Sequence, residues 1–175
     1  DESAIVTLIS GPVTLETPER VKRIDIESAE EMKEHVTANL SDIDLFISTA
    51  AVADFKMKNV EPQKIKKDQS KNMNLSLEKN EDILKHVSDN NPDLKIVGFA
   101  AETENMIDNA RKKLSSKNLN LIVANDVSDS SIGFDSNNNE VTLITEKEEL
   151  KIPKTSKEKV ARKIVQFISK NILND

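Results

Sequence analysis

Short β-branched and aliphatic runs alternate along the chain with longer polar stretches of helical period. Ile5-Val6-Thr7-Leu8-Ile9-Ser10 is stopped by Gly11-Pro12 and reads as a strand with its breaker. Val13–Arg20 is a loop carrying Pro18, and Val21–Ile26 reads as a second strand. Ser28-Ala29-Glu30-Glu31 has the hydroxyl-to-carboxylate spacing of a capping box. A helix is predicted from there to Leu40, with Ala29, Met32, Val36 and Leu40 on one face. Asp44–Ser48 is nearly all apolar, the pattern of a strand covered on both faces.

Asp54–Asn74 has many charges and no period, and reads as a long flap, since long irregular segments in compact domains usually carry function. Leu75-Ser76-Leu77 is a short strand, and Asn80 is placed to cap a helix over Glu81–Ser88. Strands are predicted at Lys95–Phe99 and Asn120–Ala124, with a helix over Thr103–Lys117 between them and a loop, Asn125–Asn139, after. Val141–Thr145 and Leu150–Ile152 form a hairpin. Thr155-Ser156-Lys157-Glu158 is a second capping box. It opens a terminal helix whose apolar face is Val160, Ile164, Phe167, Ile168 and Leu173.

Alternating strands and helices predict an α/β domain: a mostly parallel sheet with helices on both faces, plus a flap and a small C-terminal hairpin. Ligands of such sheets bind beyond the carboxyl ends of the strands. Thr49–Asp54, Phe99–Thr103 and Asn125–Ser128 all fall there, which predicts one shared site. A length of 175 residues fits a single domain. The first clear element begins almost at once after Asp1, so further sequence is expected upstream.

Composition narrows the chemistry. Aromatic residues are 3%, so Ile, Leu and Val must build the core. The absence of Cys removes disulfides and thiolate metal sites and agrees with a reducing cytoplasm. No run is long enough for a membrane span. A net charge of −6 argues against bulk nucleic-acid binding, though local basic patches can hold phosphate. His35 and His86 are too isolated for a histidine metal site and read as solvated helix residues. With only Gly11, Gly98 and Gly133, neither a GxGxxG nor a Walker A motif is present, which disfavours a dinucleotide-dependent oxidoreductase.

Each candidate feature has a plainer alternative. Ala50-Ala51-Val52-Ala53 is either a floor that a ligand approaches closely or ordinary packing at a strand end. Asp54 suits a ribose hydroxyl or a phosphate-bound metal, and equally a turn. Lys64, Lys66 and Lys67 are a solvated loop or a cationic arm over a triphosphate. Lys113 and Lys117, spaced i,i+4, can face one spot or balance a helix dipole. The helix start at Glu81-Asp82-Ile83 offers free amides to a phosphate, and its acids fit the dipole as well. Asn125-Asp126 is a polar site wall or an Asx turn.

Taken together, Ser10-Gly11-Pro12-Val13, Ala50-Ala51-Val52-Ala53-Asp54-Phe55, Lys64-Ile65-Lys66-Lys67, Val97-Gly98-Phe99-Ala100-Ala101-Glu102-Thr103 and Ala124-Asn125-Asp126-Val127-Ser128 form an ordered set spanning nearly the whole chain. In this set the chain resembles the bacterial phosphopantothenate–cysteine ligases of coenzyme A synthesis. These are often the C-terminal half of a bifunctional protein whose other half is a flavin-dependent decarboxylase. The resemblance implies a Rossmann-like fold and a homodimer that uses CTP with Mg2+. It joins 4'-phosphopantothenate to L-cysteine through an acyl-cytidylate and releases pyrophosphate and CMP. FMN is implied only where a decarboxylase half precedes.

The resemblance further implies that Ser48, Thr49, Ala50 and Phe99 line the nucleotide. Asp54 contacts it or its metal, and Lys64 is the flap lysine required for activation. Glu81, Asp82, Ile83 and Leu84 meet CTP through backbone amides, and Lys113 and Lys117 bind it ionically. The family also carries an upstream glycine-rich strand–turn, first helix and an asparagine for the second half-reaction, none of which lies in residues 1–175. A nucleotide-binding module without catalysis is the alternative reading.

Overall fold

The computed structural model describes residues 4–65, 73–102, 104–126 and 136–173, with Asp126 described by its backbone alone. The central feature is a five-stranded sheet. Its members are β3 (Leu45–Ser48), β6 (Lys95–Glu102), β7 (Leu121–Asp126), β8 (Asn138–Ile144) and β9 (Glu149–Ser156), in that spatial order. β3, β6 and β7 run parallel, whereas β8 and β9 add antiparallel to β7. The predicted C-terminal hairpin is therefore the end of the main sheet. β1 (Val6–Ser10) and β2 (Val21–Asp25) pair in parallel as a second, two-stranded sheet.

Helices cover both faces of the five-stranded sheet. α1 (Ala29–Ala38), α2 (Ile83–Asn90) and α3 (Met106–Ser116) lie on one side, and α4 (Lys157–Asn171) lies on the other. Strand alternation divides the core between them. Ile96, Ala100, Ile122 and Ala124 pack with Val36, Val87 and Leu114, while Val97, Leu121 and Val123 pack with Val160, Ile164, Phe167 and Ile168. Full burial of one such aliphatic side chain contributes roughly 1.5–3 kcal/mol relative to exposure. Gly98 lies in the first layer, where an added Cβ would come within 2.9 Å of Leu119 and 3.0 Å of Leu84. The missing side chain lets α2 and the end of α3 sit close to the sheet.

Several predicted elements shift for identifiable reasons. Ser28 does cap α1, its hydroxyl accepting from the Glu31 N–H at 3.1 Å. The Glu31 carboxylate reaches back one residue further, to the Glu27 N–H at 2.8 Å. Asn80 does not cap α2. Asp82 takes that position and accepts from the Lys85 N–H at 3.0 Å. α4 is capped by Ser156, not Thr155, because β9 runs on to that residue. Leu173 is exposed, and Ile172 fills the position in the core. α3 ends in a Schellman motif: Asn118 is left-handed (φ 49°), its N–H donates to Ser115 and that of Leu119 to Leu114.

β3 is not covered on both faces. It is the edge of its sheet among the described residues, and Ile47 is 40% exposed. The segment read as a flap is also more regular than predicted. β4 (Phe55–Met57) pairs antiparallel with β5 (Leu77–Lys79), so the expected strand at Leu75–Leu77 lies two residues later. Lys66, Lys67 and the remainder of 66–72 are outside the described residues, as are Thr103 and Val127–Asp135.

Candidate functional site

The parallel direction of β3, β6 and β7 brings their carboxyl ends to one edge of the sheet. Ser48 ends β3, Glu102 ends β6, and Asp126 ends β7 opposite Glu102 in register. Of the stretches predicted to converge here, Thr49–Asp54, Phe99–Thr103 and Asn125–Ser128, all but Thr103, Val127 and Ser128 are among the described residues.

Ser48 is half-buried against Gly98, its register partner. Beyond it Thr49, Ala50, Ala51 and Ala53 are exposed, and only Val52 turns into the core. The small residues are thus an open surface rather than packing. Asp54 is exposed where the chain enters β4. Asn80 holds this turn from the other end of the β4–β5 hairpin. Its backbone N–H donates to the Asp54 carbonyl and its side-chain amide to the Ala53 carbonyl, both at 2.8 Å. Lys64 is exposed beyond β4.

At the start of α2 the four predicted residues divide. Ile83 is buried and Leu84 packs against the core, so these two could offer a ligand only their backbone. Asp82 is committed on both oxygens, one to the Lys85 N–H and the other to Lys117 Nζ at 2.7 Å. Burial would raise its pKa. The Lys117 ammonium and the Lys85 N–H outweigh that effect and hold the carboxyl below the usual aspartate value. Glu81 is likewise held low, first by the hydrogen bond from Lys33 of α1. His86 Nδ1 lies 3.0 Å from the Glu81 carboxylate, so this histidine is paired rather than solvated. The Lys33–Glu81–His86 group crosses a groove of about 570 Å³ between α1 and α2.

Lys113 on α3 reaches the carboxyl-edge residue Glu102, Lys117 at the C-cap of α3 reaches the α2 cap Asp82, and each therefore already has an acid. Lys113 Nζ lies 2.6 Å from Glu102 Oε1, and Lys117 meets Asp82. Arg111 turns away to Glu149 on β9. Phe99 is 37% exposed and, by strand alternation, stands on the α4 side with Val97, the opposite side from Glu102. The candidate residues therefore flank the sheet edge from both faces.

Two residues carry more than the sequence assigned to them. Glu102 sits among small residues and carries no motif of its own; only its fold neighbours reveal its pairing. Asn125 was read with Asp126 as a polar site wall or an Asx turn. It follows Leu121 and Val123 on one face of β7, a position the pattern would fill with an aliphatic residue, and its buried Oδ1 has no hydrogen-bond partner among the described residues. An unmet buried acceptor costs roughly 1–3 kcal/mol. Such a cost is expected where a ligand supplies the missing donor. Asp54, an exposed carboxylate at this edge, suits Mg2+, which typically takes one or two carboxylates and completes its shell with phosphate and water.

Residues 1–172 match the family described as DNA/pantothenate metabolism flavoprotein C-terminal domain. The chain is 46% identical over 169 residues to the coenzyme A biosynthesis bifunctional protein CoaBC of Vibrio vulnificus, an alignment covering 94% of this chain and 42% of that protein. Identity to the CoaBC of Escherichia coli K12 is 42% over 170 residues, covering 94% of this chain and 41% of that one. For Bacillus subtilis it is 43% over 168 residues, covering 95% and 41%. The chain thus spans about two-fifths of the length of these relatives. A crystal structure of the C-terminal domain of CoaBC superposes with a TM-score of 0.80 at 35% identity, covering 98% of this chain and 76% of that one. The DNA/pantothenate metabolism flavoprotein of Streptococcus pneumoniae shares the fold, with a TM-score of 0.79 at 19% identity over 96% of this chain and 82% of that one. With the family match running nearly end to end, the chain belongs to the DNA/pantothenate metabolism flavoprotein C-terminal domains.

Proposed function

We propose that this domain is the ligase of coenzyme A synthesis that joins 4'-phosphopantothenate to L-cysteine at the expense of CTP. The observation that carries this reading is the convergence of the chain leaving β3 at Thr49–Asp54 with Glu102 and its partner Lys113 at one sheet edge, in a chain 40–46% identical to CoaBC proteins over nearly its whole length.

In the first step a carboxylate oxygen of phosphopantothenate attacks the α-phosphorus of CTP, and the bond to the pyrophosphate oxygen breaks. In the second, the amine of cysteine attacks the acyl carbon, the acyl–oxygen bond breaks, and CMP leaves with that oxygen while the amine loses its proton. Negative charge gathers on phosphate oxygens in the first step, so its catalysis is chiefly placement of cations. Lys64, Lys113 and Lys117 supply them. Ser48, Thr49 and Ala50 lie against the nucleotide, with Phe99 beside it and the amides of Glu81–Leu84 toward its phosphates. Bound Mg2+ would screen the triphosphate, with Asp54 as its protein ligand. Asn125 Oδ1 takes a ligand N–H or O–H.

The active form is a cytoplasmic homodimer. The surface that supports this is the outer face of the β4–β5 hairpin, where Phe55, Met57 and Leu77 are exposed together. FMN belongs only to a decarboxylase half, as in a bifunctional protein.

The test is pyrophosphate release from CTP that depends on 4'-phosphopantothenate, followed by CMP release that depends on cysteine, with the intact protein. Release in both steps is expected. No release with CTP or ATP would overturn the reading, and CTP binding without turnover would favour a non-catalytic nucleotide-binding module.

A further inference from the structure

Glu102 ends the longest parallel strand of the sheet, at the edge where the candidate site lies. Its side chain is only 14% exposed, whereas that of Lys113 is 45% exposed. Both oxygens are engaged by α3: Oε1 faces Lys113 Nζ at 2.6 Å, and Oε2 accepts from Asn109 Nδ2 at 3.3 Å. Asn109 lies one turn before Lys113, and its Nδ2 also donates to the Glu104 carbonyl at 3.0 Å, which ties it to the β6–α3 connection. The well-covered carboxylate is thus fixed from both sides, and the more open ammonium is attached to it.

We propose that Glu102 is a positioning residue, which holds the Lys113 ammonium at the carboxyl edge of the sheet in place to meet the phosphates of a bound nucleoside triphosphate. This rests on the nucleotide reading of Lys113 given above. An ammonium has three donors and Glu102 occupies one, so two remain for a ligand. A free lysine side chain would lose rotamer entropy when it binds; one already paired has lost much of it. The second oxygen of Glu102 is turned to Asn109, away from an incoming anion. Asp82 does the same for Lys117 with less cover, its side chain being 41% exposed.

The experiment is a double-mutant cycle between Glu102→Gln and Lys113→Met in the intact protein. It reads the CTP affinity by calorimetry and kcat and KM for CTP by pyrophosphate release. Glu102→Gln keeps the shape and the Asn109 hydrogen bond but removes the charge. Expected is a loss of roughly tenfold in kcat/KM for CTP, with no further loss when Lys113 is already Met. KM for cysteine should stay unchanged, and Glu102→Asp should recover part of the loss. Additive losses in the double variant, or wild-type CTP parameters in Glu102→Gln, would overturn the proposal while leaving the ligase reading intact. Failure of the unaltered protein to bind CTP would overturn both. Should Glu102→Gln not fold, Asn109→Leu, which frees the other oxygen, must show the same non-additivity with Lys113→Met, and additivity there overturns the proposal.

Discussion

Asn80 and Asp54 are joined across the base of the β4–β5 hairpin, the Asn80 N–H donating to the Asp54 carbonyl at 2.8 Å. With the Asn80 side chain on the Ala53 carbonyl, also at 2.8 Å, the turn after Thr49–Ala53 is pinned by one residue next to the far strand. Asn80→Ala removes the side-chain bond and keeps the backbone one. It should cost about 0.5–1.5 kcal/mol in chemical denaturation. It should also lower CTP-dependent turnover more than that loss explains, because the floor is no longer fixed. Turnover that merely tracks stability would show Asn80 to be a structural tie only.

Lys64 is exposed and packs in neither hydrophobic core, so replacing it should leave folding alone. Lys64→Gln is expected to abolish pyrophosphate release while Tm moves by no more than about 2 °C, the effect of a surface substitution within ~0.5 kcal/mol. Unchanged turnover would remove Lys64 from the mechanism.

Gly98 tests packing rather than chemistry. A Cβ there meets two leucine termini, Leu119 at 2.9 Å and Leu84 at 3.0 Å. Both are ends of flexible side chains, but Leu119 is buried. Gly98→Ala should cost about 1 kcal/mol, and Gly98→Val toward the upper end of the ~1–3 kcal/mol range for overpacking. Denaturant midpoints at constant m would measure both.

The Asp82–Lys117 pair predicts a pH dependence. The folded-state pKa of Asp82 is depressed, so its contribution is complete above the ordinary aspartate value of about 3.9 and disappears as pH falls through the lower folded value. The Tm difference between wild type and Asp82→Asn should therefore be constant from about pH 5 to 8 and shrink below about pH 4. A difference that persists at low pH would mean that Asp82 acts through its cap geometry and not its charge.

The hairpin face of Phe55, Met57 and Leu77 predicts the assembly. Phe55→Glu with Leu77→Glu should convert a dimer to a monomer in sedimentation equilibrium, since desolvating two carboxylates opposes the interface. A dimer that survives both changes lies elsewhere on the molecule.

Alternation and period fixed the element types. Val36, Val160, Ile164 and Phe167 could be assigned to a core because helices demand apolar residues at those spacings, whatever their partners. The order of strand, floor, acid and lysines was also legible, because parallel strands deliver their carboxyl ends to one edge. Local contests were not. Whether Asn80 or Asp82 capped α2 depended on which of them the hairpin needed elsewhere, and Asn80 went to Ala53 and Asp54. The pairing of Lys113 with Glu102, 11 residues earlier, and of Lys117 with Asp82 arises only once α2, α3 and β6 are packed together. Sequence spacing sets which way a side chain leaves its own helix; the charge that meets it is chosen by neighbours on other elements. By itself, the chain determined its strands, its helices and the edge where the carboxyl ends of its parallel strands meet. Tertiary structure decided how the lysines there are held and left Asn125 Oδ1 without a partner among the described residues, since hydrogen bonds and ion pairs depend on ångström-scale distances between elements that no periodicity encodes.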